Sequence, residues 1–233
     1  MRSLTLAVTP AEERRVREFL DSLRTPCHAT MNPDSPFADP RFESEFTTKL
    51  LTHHCFMGAP LFQESFDSAF LSACAQAGLK TEEAPAGTRF WDADVAGRKL
   101  SLKSSKARDL RIEKLHISKL TEAAWIQDCR TARSRRDKTL ELFHEYCDEV
   151  NAVVQLRYFG ERKLYELVEI PVSMFTQIRG VGLSSFDSDG PTINIPIGKT
   201  PPDFTLKLDR SDAKITLANI NKALCRVHGT WQL

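Results

Sequence analysis

The stretch from Thr88 to Ser105, TRFWDADVAGRKLSLKSS, constrains the fold of this chain more than any other segment. Its charged and hydroxyl side chains recur at every second position on both sides of a central turn: Asp92, Asp94, Ser101 and Lys103. Ala96-Gly97 offers a flexible reversal, and Leu100 and Leu102 alternate with the polar residues of the second arm. Because successive side chains of a strand point to opposite faces, the pattern predicts a β-hairpin with one buried face and one polar face.

The polar face of this hairpin combines carboxylates with an ammonium group. Carboxylate oxygens are ligands for a hard cation such as Mg²⁺, and a lysine can orient or activate an attacking water molecule. A magnesium-dependent phosphodiesterase requires these groups. The alternative interpretation is an ordinary amphipathic hairpin, in which Asp92 and Asp94 are solvated and Lys103 forms a surface ion pair of little energetic value.

The hairpin resembles the nuclease core called PD-(D/E)XK, which many type II restriction endonucleases share with the mismatch-repair nicking endonuclease. In that pattern an aspartate ends one strand, a turn follows, and the next strand carries Glu-x-Lys. The resemblance implies that Asp92 is the aspartate and that Ser101-Leu102-Lys103 is the tripeptide, with catalytic roles for Asp92, Ser101 and Lys103. Serine replaces the usual glutamate. A hydroxyl binds Mg²⁺ more weakly than a carboxylate, so a second carboxylate is expected from elsewhere.

Three residues are candidates for this second carboxylate. Glu64 ranks first, because it lies near the start of a predicted helix, off the apolar stripe of PLFQESFDSAFLSACAQAG, and the family often has a glutamate on the helix before the hairpin. Asp94 ranks second, since it is already on the polar face of the hairpin. Glu113, downstream of Lys103, ranks third. The resemblance thus implies Mg²⁺ as cofactor, held by Asp92 with Glu64 or Asp94.

The remaining elements predict an α/β fold. A capping box at Thr9-Pro10-Ala11-Glu12 begins a helix that runs to about Leu23, and a second helix is expected over about 41–54. Residues 116–128 are expected to be helical. Two strands follow at 151–159 and 163–170. This order is typical of a mixed central β-sheet flanked by helices, the restriction-endonuclease-like core, followed by C-terminal β-rich recognition elements.

The chain of 233 residues is expected to form a single nuclease domain over 1–233. Residues 1–40 would be a helical N-terminal arm with a proline-rich connection, 41–180 the catalytic core, and 181–233 a β-rich DNA-recognition part. No apolar run is long enough to cross a membrane, and the N-terminus lacks the apolar core of a secretion signal. With six scattered cysteines, we expect a cytoplasmic, prokaryotic protein with reduced thiols.

The net charge of +1 does not indicate nucleic-acid binding, so any such contact must come from local concentrations of charge. The segment RTARSRRDK at 130–138 is one, and Arg133, Arg135 and Arg136 are predicted to contact phosphates. A second set lies between two C-terminal strands and is predicted to contact base edges: Arg210, Asp212 and Lys214. The alternatives are a solvated arginine-rich face and a charged turn.

These observations together predict a sequence-specific, Mg²⁺-dependent endonuclease that hydrolyses double-stranded DNA, as type II restriction enzymes do. A homodimer is expected if the target is palindromic, because two-fold DNA symmetry is matched by two-fold protein symmetry. Three alternatives stay open. They are a strand-nicking repair endonuclease, a non-catalytic DNA-binding module with a degenerate nuclease fold, and an interaction protein with no nucleic-acid role.

Overall fold

A computed structural model of the chain describes residues 9–188 and 190–233. The α-helices in these ranges are α1 (Pro10–Leu23), α2 (Pro40–Met57), α3 (Gln63–Gln76), α4 (Trp125–Asp128) and α5 (Ala132–Glu149). The strands are β1 (His28–Met31), β2 (Thr81–Glu83), β3 (Ala93–Val95), β4 (Arg98–Ser105), β5 (Lys114–Glu122), β6 (Ala152–Phe159), β7 (Leu164–Pro171), β8 (Thr192–Ile197), β9 (Phe204–Asp209), β10 (Lys214–Asn221) and β11 (Arg226–Gln232).

The strands form two sheets. The larger has seven strands in the order β1-β11-β7-β6-β4-β3-β2, and the smaller has four in the order β5-β10-β9-β8. The pair β4 and β6 is parallel, whereas the other neighbours are antiparallel. A parallel pair needs a crossover connection, and the chain between β4 and β6 supplies it through β5, α4 and α5. The predicted mixed α/β architecture is therefore confirmed.

Local sequence signals set the start of α1 and the end of α2. Thr9 caps α1 in the predicted capping box, with the Glu12 carboxylate accepting from the backbone N–H of Thr9. Helix α2 runs to Met57, beyond the predicted end, and stops at Gly58 in the left-handed conformation.

None of the helices in the described ranges has both the length and the apolar character needed to cross a bilayer.

The prediction of a helix over 116–128 is wrong. Residues 114–122 form β5, and only 125–128 are helical. Leu115 and Ile117 are buried while His116 between them is exposed, which is the alternation of a strand. Pairing with β10, about a hundred residues away, selects the extended conformation. The partner strand is remote, so no local signal shows it.

The core has two parts, one on each side of the seven-stranded sheet. Helices α2 and α3 pack their phenylalanines on one face, which includes Leu100 and Leu102 of β4. The other face, with Val153 of β6, packs against α5 and the buried side of the four-stranded sheet. The predicted boundary at 181 does not follow the sheets, because β5 comes from mid-chain and β11 pairs with β7 and β1.

Candidate active site

The hairpin of β3 and β4 forms as predicted and brings Asp92, Ser101 and Lys103 together. Three donors converge on Asp92 Oδ2: the backbone N–H of Leu102 at 2.6 Å, Lys103 Nζ at 3.2 Å and Ser101 Oγ at 3.3 Å. Among the described residues no hydrogen bond ends on Oδ1 of Asp92. One carboxylate oxygen is thus fixed by the protein and the other is available to a ligand.

Asp92 and Lys103 line a cavity of about 1030 Å³, whose lining comes from both sheets. Gln63 and Asp67 of α3 contribute to the same wall. A second wall comes from the segment before β5, from β5 itself and from Lys207 of β9 and Asn219 of β10. The cavity is therefore lined both by the hairpin of β3 and β4 and by the four-stranded sheet.

Asp67 is the carboxylate that the sequence analysis missed. It lies one helical turn after Gln63, whose Nε2 donates to Asp67 Oδ1 and to the carbonyl of Leu102, both at 2.8 Å. Gln63 Oε1 accepts from the backbone N–H of Ser104 at 2.8 Å. Burial, and then the negative charge of Asp92, raise the pKa of Asp67 to about 7. The sequence did contain one signal for Asp67. It directly follows Phe66 of the apolar stripe, so its side chain lies beside the buried face of the helix rather than opposite it.

The three predicted second carboxylates lie elsewhere. Glu64 is exposed and lines a separate groove with His53 and Phe56, although its charge adds to the raised pKa of Asp67. Asp94 accepts from the backbone N–H of Gly97 at 2.8 Å and so caps the hairpin turn. Glu113 is exposed in the loop before β5. Unlike Asp67, these residues do not line the cavity.

A comparison of the sequence with known protein families identifies the family of this chain. Residues 14–233 match the sequence model of the SmaI family, described as type II site-specific deoxyribonucleases. The chain belongs to the SmaI family. It is a restriction endonuclease and DNA is its substrate, so the prediction of a restriction endonuclease is confirmed. No curated protein and no solved structure matches the chain.

The arginines predicted to contact phosphates in this SmaI-family enzyme do not line the cavity. Arg135 is only 3% exposed, and it donates to the carbonyls of Phe186 at 3.0 Å and Ser188 at 3.2 Å. This burial does not support its predicted phosphate contact. Arg136 is half-buried and donates to the carbonyl of Val181 at 3.1 Å, which does not support a phosphate contact. Arg133 is exposed.

The residues predicted to contact bases lie around the turn between β9 and β10. Lys214 forms ion pairs with Asp212 and, at 3.9 Å, with Asp209. Arg210 donates to the carbonyl of Gly190 at 3.3 Å. Neither these residues nor Asp212 line the cavity. Their role in base contact stays a prediction, but the structure does not bring them to the hairpin.

The cavity carries a different set of cations, and four of them form no ion pair among the described residues: Lys106, Arg111, Lys114 and Lys207. The buried Arg157 organises the segment that carries two of them. It pairs with Glu166 at 2.6 Å and donates to the carbonyls of Ile112 and Lys114. A chain of nearly zero net charge thus concentrates positive charge in the cavity that Asp92 also lines.

Gln155 connects the two walls. It is 1% exposed, lies beside Lys103 in the β4–β6 ladder, and donates from Nε2 to the carbonyl of His116 on β5 at 2.8 Å. Its Oε1 has no hydrogen-bond partner among the described residues. One side chain therefore joins the strand next to Lys103 to strand β5 of the smaller sheet.

Proposed function

We propose that this restriction endonuclease is a Mg²⁺-dependent hydrolase with a PD-(D/E)XK-type site formed by Asp67, Asp92 and Lys103. The observation that carries the proposal is that one cavity, lined by cations, holds both carboxylates and the lysine. In this proposal Asp67, rather than Glu64 or Asp94, replaces the glutamate that the family pattern has at the position of Ser101.

The donor set fits a hard cation. Asp67 and Asp92 offer carboxylate oxygens, and no hydrogen bond among the described residues ends on Asp67 Oδ2 or Asp92 Oδ1. Mg²⁺ is usually held by one or two carboxylates together with water and substrate phosphate. The described ranges contain no group of three or more His, Cys, Asp or Glu side chains that could hold a metal ion, so in this proposal water and the substrate phosphate complete the coordination.

When bound, the cation would neutralise the negative charge that develops on the phosphodiester. The chain's own residues set the geometry. Ser101 Oγ and the backbone N–H of Leu102 hold Asp92 in one orientation. Lys103 Nζ lies on the same carboxylate and can donate to an attacking water or to a phosphate oxygen. Ser101 is fully buried, so its proposed role is to orient Asp92.

Plasmid cleavage with increasing Mg²⁺ tests this proposal. Without a divalent cation, we expect no cleavage. Asp67→Asn should reduce cleavage by at least about a hundredfold, because it removes a charge that acts in the transition state. Glu64→Gln is the matched control and should cleave within a few-fold of wild type. If Glu64→Gln is inactive and Asp67→Asn is active, Glu64 supplies the second carboxylate, as the sequence alone suggested.

We further propose a homodimer, whose two-fold symmetry would match that of a palindromic target. Support comes from exposed apolar side chains on α1 and at the end of α2: Val16, Leu20, Phe56 and Met57. A cytoplasmic location in a prokaryotic cell would keep the six free cysteines reduced.

Analytical ultracentrifugation of wild type, Phe56→Glu and the control Leu183→Glu tests the homodimer, since Leu183 is an exposed apolar residue elsewhere. Only Phe56→Glu should be monomeric. A monomeric wild type would instead favour an enzyme that cuts one strand at a time.

A further inference from the structure

The outer face of the four-stranded sheet is polar and opens into the cavity. We use "outer face" for the side opposite the shared core, and it carries Lys114, His116, Ser118, Thr205, Lys207 and Thr216. Thr216 lies opposite Lys207, and Lys207 lies opposite Asn194 of β8. The Thr216 hydroxyl donates to the carbonyl of Ser118 at 2.7 Å, which fixes this row across the sheet.

A β-bulge interrupts β10 where the outer face meets the cavity. Leu217 pairs with Ile117 and Ile220 pairs with Leu115, so three steps on β10 oppose two on β5. Asn219 lies in the bulge with φ at 53°, is exposed, and lines the cavity. Asparagine tolerates this left-handed backbone better than most residues. Bulges near active sites commonly redirect a side chain, and here the amide lies at the cavity wall.

Lys207, like Lys114, is a cation of this face that lines the cavity and forms no ion pair among the described residues. It is half-buried on β9, and its charge acts on His116. Partial burial, followed by the charge of Lys207, lowers the pKa of His116, so a neutral imidazole is favoured there. The three side chains thus offer an ammonium donor, an amide and a neutral ring at one end of the sheet.

We propose that Lys207, Asn219 and His116 contact base edges in the major groove of the DNA that is cleaved. B-DNA admits β-ribbons in its major groove, and the donors of lysine and asparagine match the edges of purines there. Because Asp92 and Lys103 line the same cavity, DNA held on this face brings a backbone phosphate to the hairpin. The inference rests on the proposed active site only for that last step.

The structure favours these residues over the C-terminal set predicted from sequence. Lys214 lies on the same face as Lys207 but in the row next to the turn, and its ammonium group is already neutralised by Asp212 and Asp209. Lys207 has no such carboxylate within the described ranges. Forming a base contact from Lys214 would require breaking existing ion pairs, whereas Lys207 needs no such exchange.

Cleavage of a pool of duplexes with a randomised centre tests the proposal, because sequencing the cut products gives the base preference at every position. Lys207→Gln and Asn219→Gly should each reduce the preference for the favoured base about 10- to 100-fold at one or more positions of the DNA target. Glycine keeps the left-handed backbone of residue 219, so the loss would report on the amide. Lys214→Ala is the matched control and should leave the preference unchanged.

Unchanged preferences in both Lys207→Gln and Asn219→Gly would overturn the proposal, as would a loss confined to Lys214→Ala. For a variant that does not cut, sequencing the duplexes bound in Ca²⁺ gives the same preference profile. Circular dichroism melting confirms that each variant folds. Failure of the proposed active site would appear differently, as normal cleavage by Asp67→Asn, and would leave the preference profile valid.

Discussion

The two polar surfaces that meet in the cavity differ in how their charges are satisfied. On the hairpin, Asp92 Oδ2 accepts from three donors, and Gln63 holds Asp67 by a further bond. On the four-stranded sheet, Lys114 and Lys207 form no ion pair in the described part of the chain and lie beside exposed polar groups. Fixed, mutually bonded charges suit chemistry that needs a preorganised site. Unpaired cations suit a polyanion that supplies their counter-charges.

The largest effect should come from the fixed surface. Asp92→Asn keeps the shape of the side chain but removes its charge, so cleavage should fall at least about 10²–10³-fold. DNA binding in Ca²⁺ should survive. Single-turnover cleavage and gel-shift titration measure the two quantities. Asp94→Asn is the control, since Asp94 caps the turn outside the cavity, and it should cleave nearly normally. The reverse pattern would move the metal site to Asp94.

Arg135→Ala should act on stability rather than on DNA. Its buried guanidinium satisfies carbonyls of the segment after Val181, so its loss should lower the free energy of unfolding by about 2–4 kcal/mol. Urea denaturation measures this change. Arg133→Ala, on the exposed side of the same helix, should change it by less than about 0.5 kcal/mol. Equal stabilities, with weaker DNA binding by Arg135→Ala, would restore the phosphate contact predicted from sequence.

A smaller effect is expected at Ser101. Its hydroxyl donates to Asp92 Oδ2 at 3.3 Å, so Ser101→Ala should slow cleavage about tenfold without changing the Mg²⁺ requirement. Ser101→Glu, which would restore the common family pattern, should instead destabilise the protein, because residue 101 is fully buried. Full activity of Ser101→Glu would mean that the hairpin can open enough to accept a second carboxylate at this position.

The smallest effect should come from single cations of the cavity wall. Arg111→Ala or Lys114→Ala should weaken binding to all duplexes alike. Each should also reduce the steepness with which the logarithm of the DNA-binding constant falls with the logarithm of salt concentration by about one. Titrations at several salt concentrations on random duplexes give the slope. Arg133→Ala, outside the cavity, should leave the slope unchanged. If only Arg133→Ala reduces it, DNA lies on α5 rather than in the cavity.

Local patterns predicted the hairpin because its contacts span few residues. Alternation and the Ala96-Gly97 reversal suffice to align Asp92 with Lys103. Asp67 could not be identified in the same way, because its position in the cavity depends on how α3 packs on β4. The burial of Arg135 could not be predicted for a related reason. Charge density in sequence does not reveal that carbonyls some fifty residues away will bury Arg135.

The bonds that Asp92 and Gln63 make to β4 have a consequence for the solubility of the enzyme. Strand β3 covers β4 only as far as Leu100, so the next residues of β4 would present an open strand edge on that side. There the Asp92 carboxylate accepts from the N–H of Leu102, and the Gln63 amide pairs with the carbonyl of Leu102 and the N–H of Ser104. Unpaired edges recruit strands from other molecules. The side chains of Asp92 and Gln63 therefore also act as a cap against aggregation through this edge.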